Sequence, residues 1–226
     1  MDNAAYIGLL TKERMMLLAL FVALFVFFFA VFSLLPQDTD SEIILIDDFN
    51  NGYENAFGGK TEIYQSAPSA IQGSLVDSPR RGETGDALRL HYVKETDGWC
   101  GYYSIFNESD YVDASRMNAL SFWIRGEQGG EVINLGLADR EWEEKDDTVK
   151  SKPISSYLKN GVTTDWQKVT IPLSDFLFLQ TGEIASVSIN FPNPGQGVIF
   201  IDDLQFEIIK KKSSVDPSEL SEDDDT

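Results

Sequence analysis

The chain has 226 residues, a formal net charge of −19, a single cysteine (Cys100) and a single histidine (His91). This acidic excess argues against a nucleic-acid partner, because phosphate binding requires a basic surface. One cysteine excludes a disulfide framework within the chain. One histidine excludes a multi-histidine metal site and a histidine-rich catalytic centre.

Residues 15–35 form the apolar run MMLLALFVALFVFFFAVFSLL, which contains no charged residue. A helix of this length rises about 30 Å, the thickness of the hydrocarbon layer of a bilayer. The run is longer than the apolar region of about 7–15 residues in a cleaved signal peptide, and no small-x-small cleavage site follows it. The sequence therefore predicts an uncleaved transmembrane signal anchor.

The charges beside this run predict its orientation. Lys12 and Arg14 precede it, whereas Asp38, Asp40 and Glu42 follow it. Positive residues favour the cytoplasmic side of a membrane span. We therefore expect residues 1–14 in the cytoplasm and the folded domain in the periplasm or outside the cell, joined to the anchor by a polar linker over residues 36–42.

The chain from residue 43 to 209 predicts one all-β domain, a β-sandwich jelly roll. Short apolar runs alternate there with turn signals such as Asn51-Gly52, and no long helical period is present. Short helical turns are expected at Ser155–Leu158 and Leu173–Phe178. The predicted strands are Ile43–Phe49, Ala87–Val93, Gly101–Phe106, Ala119–Arg125, Val132–Ala138, Gln167–Pro172, Ser186–Phe191 and Val198–Glu207.

Residues 210–226 predict a disordered acidic tail. Three lysines are followed by SSVDPSELSEDDDT, which contains almost nothing that could pack in a core. Docking of a partner by this tail is the alternative interpretation.

Alternation along the strands predicts an open sheet face with polar and aromatic side chains. Two interpretations of this face stay open. It is a sugar-binding groove, in which rings stack on pyranoses while amide and guanidinium groups bond hydroxyls, or it is covered by loops or a protein partner. The side chains expected on it are those of His91, Trp123, Arg125, Asn134 and Ser188.

Two further tryptophans are candidate ligand-binding residues. Trp99 stands between Gly98 and Cys100-Gly101, and Trp142 stands between Glu141 and Glu143, so we expect both in loops. Exposed aromatic side chains on loops favour a binding role.

Five motifs, in order, carry a family resemblance: IDDFNNG, ETDGWCGYYS, LSFWIRG, TTDWQKVTIPLSDF and VIFIDDLQFE. Together they resemble carbohydrate-binding module family 11 and its relatives. The Phe-Trp-x-x-Gly and Trp-Gln-x-Val-x-Ile-Pro pieces also resemble the complex I intermediate-associated protein family. The resemblance implies a β-jelly roll without catalysis of its own and, in the carbohydrate-binding branch, a concave face that holds a β-glucan chain.

The resemblance also implies a structural calcium ion near the chain ends, with ligands at Asp48, Asn50 and Asp202. Asn50 stands where the family usually has Glu, which removes a charge but keeps an oxygen ligand. Alternation places Asp202 on the same side as Phe200, Leu204 and Phe206, toward the core, where an acid needs a cation or donors. We therefore expect Asp48 and Asp202 to share an ion and Asp203 not to.

Two functions are compatible with this sequence. The first is a membrane-anchored glycan-binding module, although Ser186–Phe191 lacks the charged and aromatic groups of glucan binders and does not support glucan specificity. The second is an accessory or assembly subunit of a large respiratory or photosynthetic membrane complex, with the jelly roll as its docking surface. An enzyme is not expected, because no pair of carboxylates stands in an apolar setting that would raise a pKa.

Overall fold

The computed structural model describes residues 42–107 and 110–210. The apolar run 15–35, the linker up to residue 41 and the tail after residue 210 lie outside the described residues, so the anchor and the disordered tail stay predictions. Within the described ranges, no helix is long and apolar enough to cross a membrane.

The described residues form an all-β sandwich of two antiparallel sheets, as predicted. One sheet has the strand order β3-β4-β11-β6-β9, with β1 also paired to β11, and the other has the order β2-β5-β10-β7-β8. The strands are β1 Ile43–Asp47, β2 Thr61–Ser66, β3 Ala70–Val76, β4 Ala87–Lys94, β5 Trp99–Ile105, β6 Ala119–Gly126, β7 Asn134–Asp139, β8 Val149–Lys150, β9 Gln167–Pro172, β10 Ile184–Asn190 and β11 Gly195–Glu207.

The core lies between the two sheets and is built from alternate residues of the central strands. On β6, Leu120, Phe122 and Ile124 are completely buried, as the alternation predicted, and Leu135 and Leu137 of β7 are buried in the same core. Apolar side chains at every second position must leave water together, and this requirement stacks one sheet on the other.

The three strands that the sequence did not predict, β2, β3 and β8, all lie at sheet edges. Edge strands bury fewer side chains than central strands, so their apolar pattern is weak. Of the six residues of β2, only Thr61 is buried. A short helix, α1 (Arg140–Glu144), lies where a loop was expected, and it begins where Asp139 accepts a hydrogen bond from the backbone N–H of Trp142.

The Ile-Asp-Asp run of β11 coincides with a β-bulge. The first half of β11 pairs with β4, the second half pairs with β1, and the register shifts between Asp202 and Gln205, with Asp203 at a φ of 46°. This extra residue reverses the alternation. Asp202 is therefore opposite Trp123 on the outer face of the sheet, and the prediction that it points to the core with Leu204 is wrong.

Candidate functional site

An open groove of about 700 Å³ lies on the outer face of the five-stranded sheet. Its floor carries the small side chains of Ala138, Ser186 and Ser188. Gly136 deepens this floor, because a Cβ there would lie 2.2 Å from Thr148 Oγ1 and 2.4 Å from Ser188 Oγ. Small residues at these positions therefore create the depression.

One side of the groove is an aromatic wall formed by Tyr64, Trp99 and Tyr103. Trp99 and Tyr103 share a face of β5 with Gly101 between them, and Tyr64 of β2 pairs with Gly101. A Cβ on Gly101 would lie 2.3 Å from the Tyr64 hydroxyl, so the glycine makes room for the tyrosine ring. The indole of Trp99 is 61% exposed and offers its ring to solvent.

A chain of neutral polar groups crosses the floor. The Tyr64 hydroxyl donates to Asn190 Oδ1 at 2.6 Å, and Asn190 Nδ2 donates to Ser188 Oγ at 3.1 Å. Ser188 Oγ lies 3.4 Å from Thr148 Oγ1. Burial raises the pKa of Tyr64 well above its usual value of 10, so this hydroxyl remains a donor at ordinary pH.

The other side is an acidic wall formed by Glu143, Asp146 and Asp147, with Lys150 as its one cation among the residues that line the groove. Lys150 Nζ lies 2.9 Å from Asp147 Oδ1. The bond from Lys150 and the backbone N–H of Thr148 lower the pKa of Asp147, which keeps it ionised. The groove thus combines stacking surface, neutral hydrogen-bonding groups and negative charge.

Four of the predicted ligand-binding residues belong to the five-stranded sheet or its loops. Trp99 and Ser188 line the groove, and Trp99 is the first residue of β5 rather than part of a loop. Asn134 stands on β7 directly opposite Asn190 but does not line the groove. Trp142 lies on α1 rather than in a loop, with Lys145 Nζ 4.7 Å from the centre of its ring.

The prediction that five residues share one face is wrong, because His91, Trp123 and Arg125 belong to the other sheet. His91 is on β4, and Trp123 and Arg125 are on β6. The Arg81 guanidinium lies 4.9 Å from the centre of the Trp123 ring. His91, Trp123 and Arg125 do not line the groove. Alternation assigns a side chain to a face of its own strand but does not say in which sheet that strand lies.

Several lining residues were missed by the sequence reasoning. Tyr103 had a usable signal, because it stands four residues after Trp99 and therefore on the same face of a strand. Asn190 had one too, two residues after Ser188. Tyr64 and the acidic wall had none. Tyr64 lies on a weakly patterned edge strand, and the acidic wall runs from the end of α1 through a polar turn to the two-residue strand β8.

The acids near the chain ends cluster at the bulge of β11. Asp47 is 3% exposed; its Oδ1 accepts a 2.7 Å hydrogen bond from the N–H of Phe49, and its buried Oδ2 has no partner. Burial raises the pKa of Asp47 to about 7, helped by the charges of Asp48 and Asp202. Burial and the neighbouring Asp203 raise the pKa of Asp202 to about 6.

The residues present fit a calcium ion only in part. Oδ1 of Asn50 already accepts a 2.8 Å hydrogen bond from the N–H of Asp86. The described residues contain no group of three His, Cys, Asp or Glu side chains that could hold a metal ion. The unpartnered oxygen of Asp47, which the sequence reasoning passed over, is the carboxylate atom most in need of a cation here. Calcium binding stays a prediction.

Comparison with solved structures finds the same fold in carbohydrate-binding modules. The family 11 module of a cellulosomal cellulase from Clostridium thermocellum is 16% identical, with 77% of this chain and 99% of that chain covered and a TM-score of 0.57. The same organism's family 11 module in complex with a β-1,3-1,4-mixed-linked tetrasaccharide is 17% identical, with 74% and 96% covered and a TM-score of 0.56. The family 30 module of another of its cellulosomal cellulases is 25% identical, with 62% and 83% covered and a TM-score of 0.51.

These findings confirm the predicted resemblance to carbohydrate-binding modules with a jelly-roll fold. They give no support to the alternative of a membrane-complex subunit. No curated protein matches the chain. The model of the family described as carbohydrate binding domain 30 matches residues 44–208, which is most of the chain. The chain therefore belongs to the carbohydrate binding domain 30 family.

Proposed function

We propose that this protein is a membrane-anchored, non-catalytic carbohydrate-binding module, displayed outside the cytoplasm, whose ligand site is the groove of the five-stranded sheet. The observation that carries the proposal is the exposed indole of Trp99 in the aromatic wall of that groove. A large apolar ring exposed beside aligned hydroxyl and amide groups is unfavourable in water and is suited to the face of a pyranose. The anchored part of the proposal depends on the apolar run 15–35.

The groove chemistry favours neutral glycans. Hydroxyl and amide groups of Tyr64, Asn190 and Ser188 can donate to and accept from sugar hydroxyls. The acidic wall would repel uronic acids and sulfated sugars, because its one lysine is already paired with Asp147. The β-1,3-1,4-mixed-linked tetrasaccharide in complex with the family 11 module is a reason to include neutral β-linked glycans in a binding panel.

The experiment is a binding panel with the full-length protein in detergent micelles. Neutral β-glucans, xylan and mannan are compared with alginate and sulfated glycans. Trp99→Ala should abolish binding, and Trp99→Phe should retain part of it, because a smaller ring can still stack.

Trp123→Ala is the matched control, because Trp123 lies on the other sheet and away from the groove. This variant should bind like the wild type. Absence of binding to every neutral glycan, or equal loss in the Trp99 and Trp123 variants at unchanged melting temperature, would reject the groove as the ligand site.

A further inference from the structure

The large apolar side chains that the sandwich leaves exposed are concentrated at one end. Phe178 is 90% exposed and Leu177 is 65% exposed, and both lie on the segment between β9 and β10, residues 173–183, which we call the apolar loop. Ile43 at the start of β1 and Ile209 just after β11 are exposed as well. These four make up the majority of the seven large apolar side chains that are exposed among the described residues.

Hydrogen bonds around Asn118 tie these segments to the same end of the six-stranded sheet. The carbonyl of Asn118 accepts from the N–H of Leu173 at 2.9 Å, where the loop begins. Its Nδ2 donates to the carbonyl of Ile209 at 2.9 Å. The N–H of Ile208 donates to the carbonyl of Glu42, the first described residue, at 3.3 Å. The apolar loop and both ends of the domain are therefore neighbours.

The packing of the domain does not account for Phe178. Its φ of 68° lies in the left-handed region, which is unfavourable for a bulky side chain. Phe176 is buried and Leu179 packs against the core, so these two residues already fix the loop, and Phe178 projects between them. Both the backbone strain and the exposed ring destabilise the isolated domain.

The chain around this end identifies the surface that would cover it. The apolar run 15–35 ends seven residues before Glu42, and a chain of that length spans at most about 25 Å. Three consecutive lysines, residues 210–212, follow Ile209 directly in an otherwise strongly acidic protein. Lysines at a membrane surface attract anionic headgroups.

We propose that the end of the domain carrying Leu177, Phe178, Ile43 and Ile209 contacts the lipid bilayer, with the tip of the loop in the headgroup region. This inference rests on the anchored part of the proposed function and does not depend on the groove. It also orients the site. The apolar loop after β9 leads into the start of β10, where Ser186 pairs with Ile105 at the end of β5. Trp99 lies at the other end of β5, so it would face away from the bilayer.

The experiment places an environment-sensitive fluorophore on Leu177→Cys in the full-length protein, reconstituted into vesicles of phosphatidylcholine with or without phosphatidylglycerol. The native Cys100 is buried and should not label. Gln128→Cys is the control, because Gln128 is exposed in the loop after β6, at the far end of that strand. Flotation of the vesicles reports whether the chain is anchored.

We expect probe emission at position 177 to shift to shorter wavelength and to be quenched by a lipid-borne quencher, more strongly with phosphatidylglycerol. Position 128 should show neither effect. Adding Phe178→Asn to Leu177→Cys should reduce the quenching without lowering the melting temperature, since Asn tolerates positive φ. Three outcomes would overturn the proposal. A blue shift without lipid quenching would mean that protein, not lipid, covers the loop. The other two are equal signals at positions 177 and 128, and failure of the chain to float with the vesicles.

Discussion

The hydroxyl of Tyr64 donates a 2.6 Å hydrogen bond to Oδ1 of Asn190, a residue two strands away in the same sheet. The bond passes over Gly101 of the intervening strand, which has no side chain to obstruct it. It joins the aromatic wall of the groove to its polar floor. The position of the tyrosine ring and the orientation of the floor amide are therefore coupled.

Tyr64→Phe should weaken glycan binding roughly three- to tenfold, equivalent to about 1 kcal/mol for one neutral hydrogen bond. The ring remains, so stacking should persist while the Asn190 amide loses its fixed orientation. Titration calorimetry with a neutral glycan from the panel measures the change. Tyr53→Phe is the control, since Tyr53 is exposed and does not line the groove. Unchanged affinity in the Tyr64 variant would show that wall and floor act independently.

Gly136→Ala should fill the floor of the groove and weaken binding by about tenfold or more, close to 1.4 kcal/mol. The new Cβ would displace the Thr148 and Ser188 hydroxyls, which can rotate, but it would also lie 2.8 Å from Thr148 Cβ, so the segment that carries Thr148 must shift slightly. The cost to folding should be about 1–3 kcal/mol. Gly182→Ala is the matched control, because the nearest atom to its Cβ would be 3.9 Å away. Comparable affinities in the two variants would contradict a ligand that reaches the floor.

Asn55→Ala should lower the free energy of unfolding by about 2–4 kcal/mol. The buried side chain of Asn55 donates to Ser104 Oγ and the carbonyl of Ile105, and its Oδ1 accepts from two backbone N–H groups, those of Phe57 and Gly59. Removal leaves several buried groups without partners. Urea denaturation measures the loss, with Asn160→Ala as the control because Asn160 is exposed. If the two variants differed in free energy of unfolding by less than about 1 kcal/mol, water would be replacing the lost hydrogen bonds.

The raised pKa of Asp47 predicts that, in chelator, the domain becomes less stable as pH rises from about 4 to about 7. The folded state holds this proton more tightly than the unfolded chain, so the stabilisation is complete below the unfolded pKa and disappears as pH passes the folded one. The effect should be on the order of 1–4 kcal/mol. Asp47→Asn should make this part of the pH profile shallower and stabilise the domain at pH 7.5, and the slope that remains is due to Asp202, whose pKa is raised to about 6. Denaturant titrations at each pH measure the free energy of unfolding of the wild type and of the variant. If the two free energies changed with pH in parallel, the assignment to Asp47 would be wrong.

Calcium should raise the melting temperature of the wild type if the carboxylates of Asp47 and Asp202 bind it, because an ion offsets the repulsion between them. Differential scanning fluorimetry with calcium and with chelator measures the difference. Asp47→Asn and Asp202→Asn should reduce the shift. Asn50→Ala should retain most of the calcium-induced shift in melting temperature, since Oδ1 of Asn50 already accepts a hydrogen bond from the backbone N–H of Asp86. An unchanged wild-type melting temperature would exclude the structural ion.

Much of the groove could be predicted once β5 and β10 were identified, because alternation alone puts Trp99 with Tyr103 and Ser188 with Asn190. The faces of β6 were also predicted correctly, with Leu120, Phe122 and Ile124 inside. The acidic wall on the other side of the groove could not be predicted in this way. It runs from Glu143 on the short helix α1 to Lys150 on the two-residue strand β8, and a polar segment of such short elements has no period to reveal it. His91, Trp123 and Arg125 were grouped with the wrong sheet, since strand patterns carry no information on which strands pair.

The sequence by itself determined the class of the fold, the position of an apolar run before it and the candidate residue Trp99, because these depend on hydrophobic periodicity and composition along the chain. Only the tertiary structure decided which strands share a sheet, since pairing joins segments as distant as Tyr64 and Asn190. It also decided the roles of the two Ile-Asp-Asp runs. A single inserted residue in β11 places Asp202 opposite Trp123, away from the core side chain of Leu204. Asp47 and Asp202 are both buried, and of the two only Asp47 has a buried oxygen without a partner. Such a bulge becomes visible only when the register of the partner strands is known.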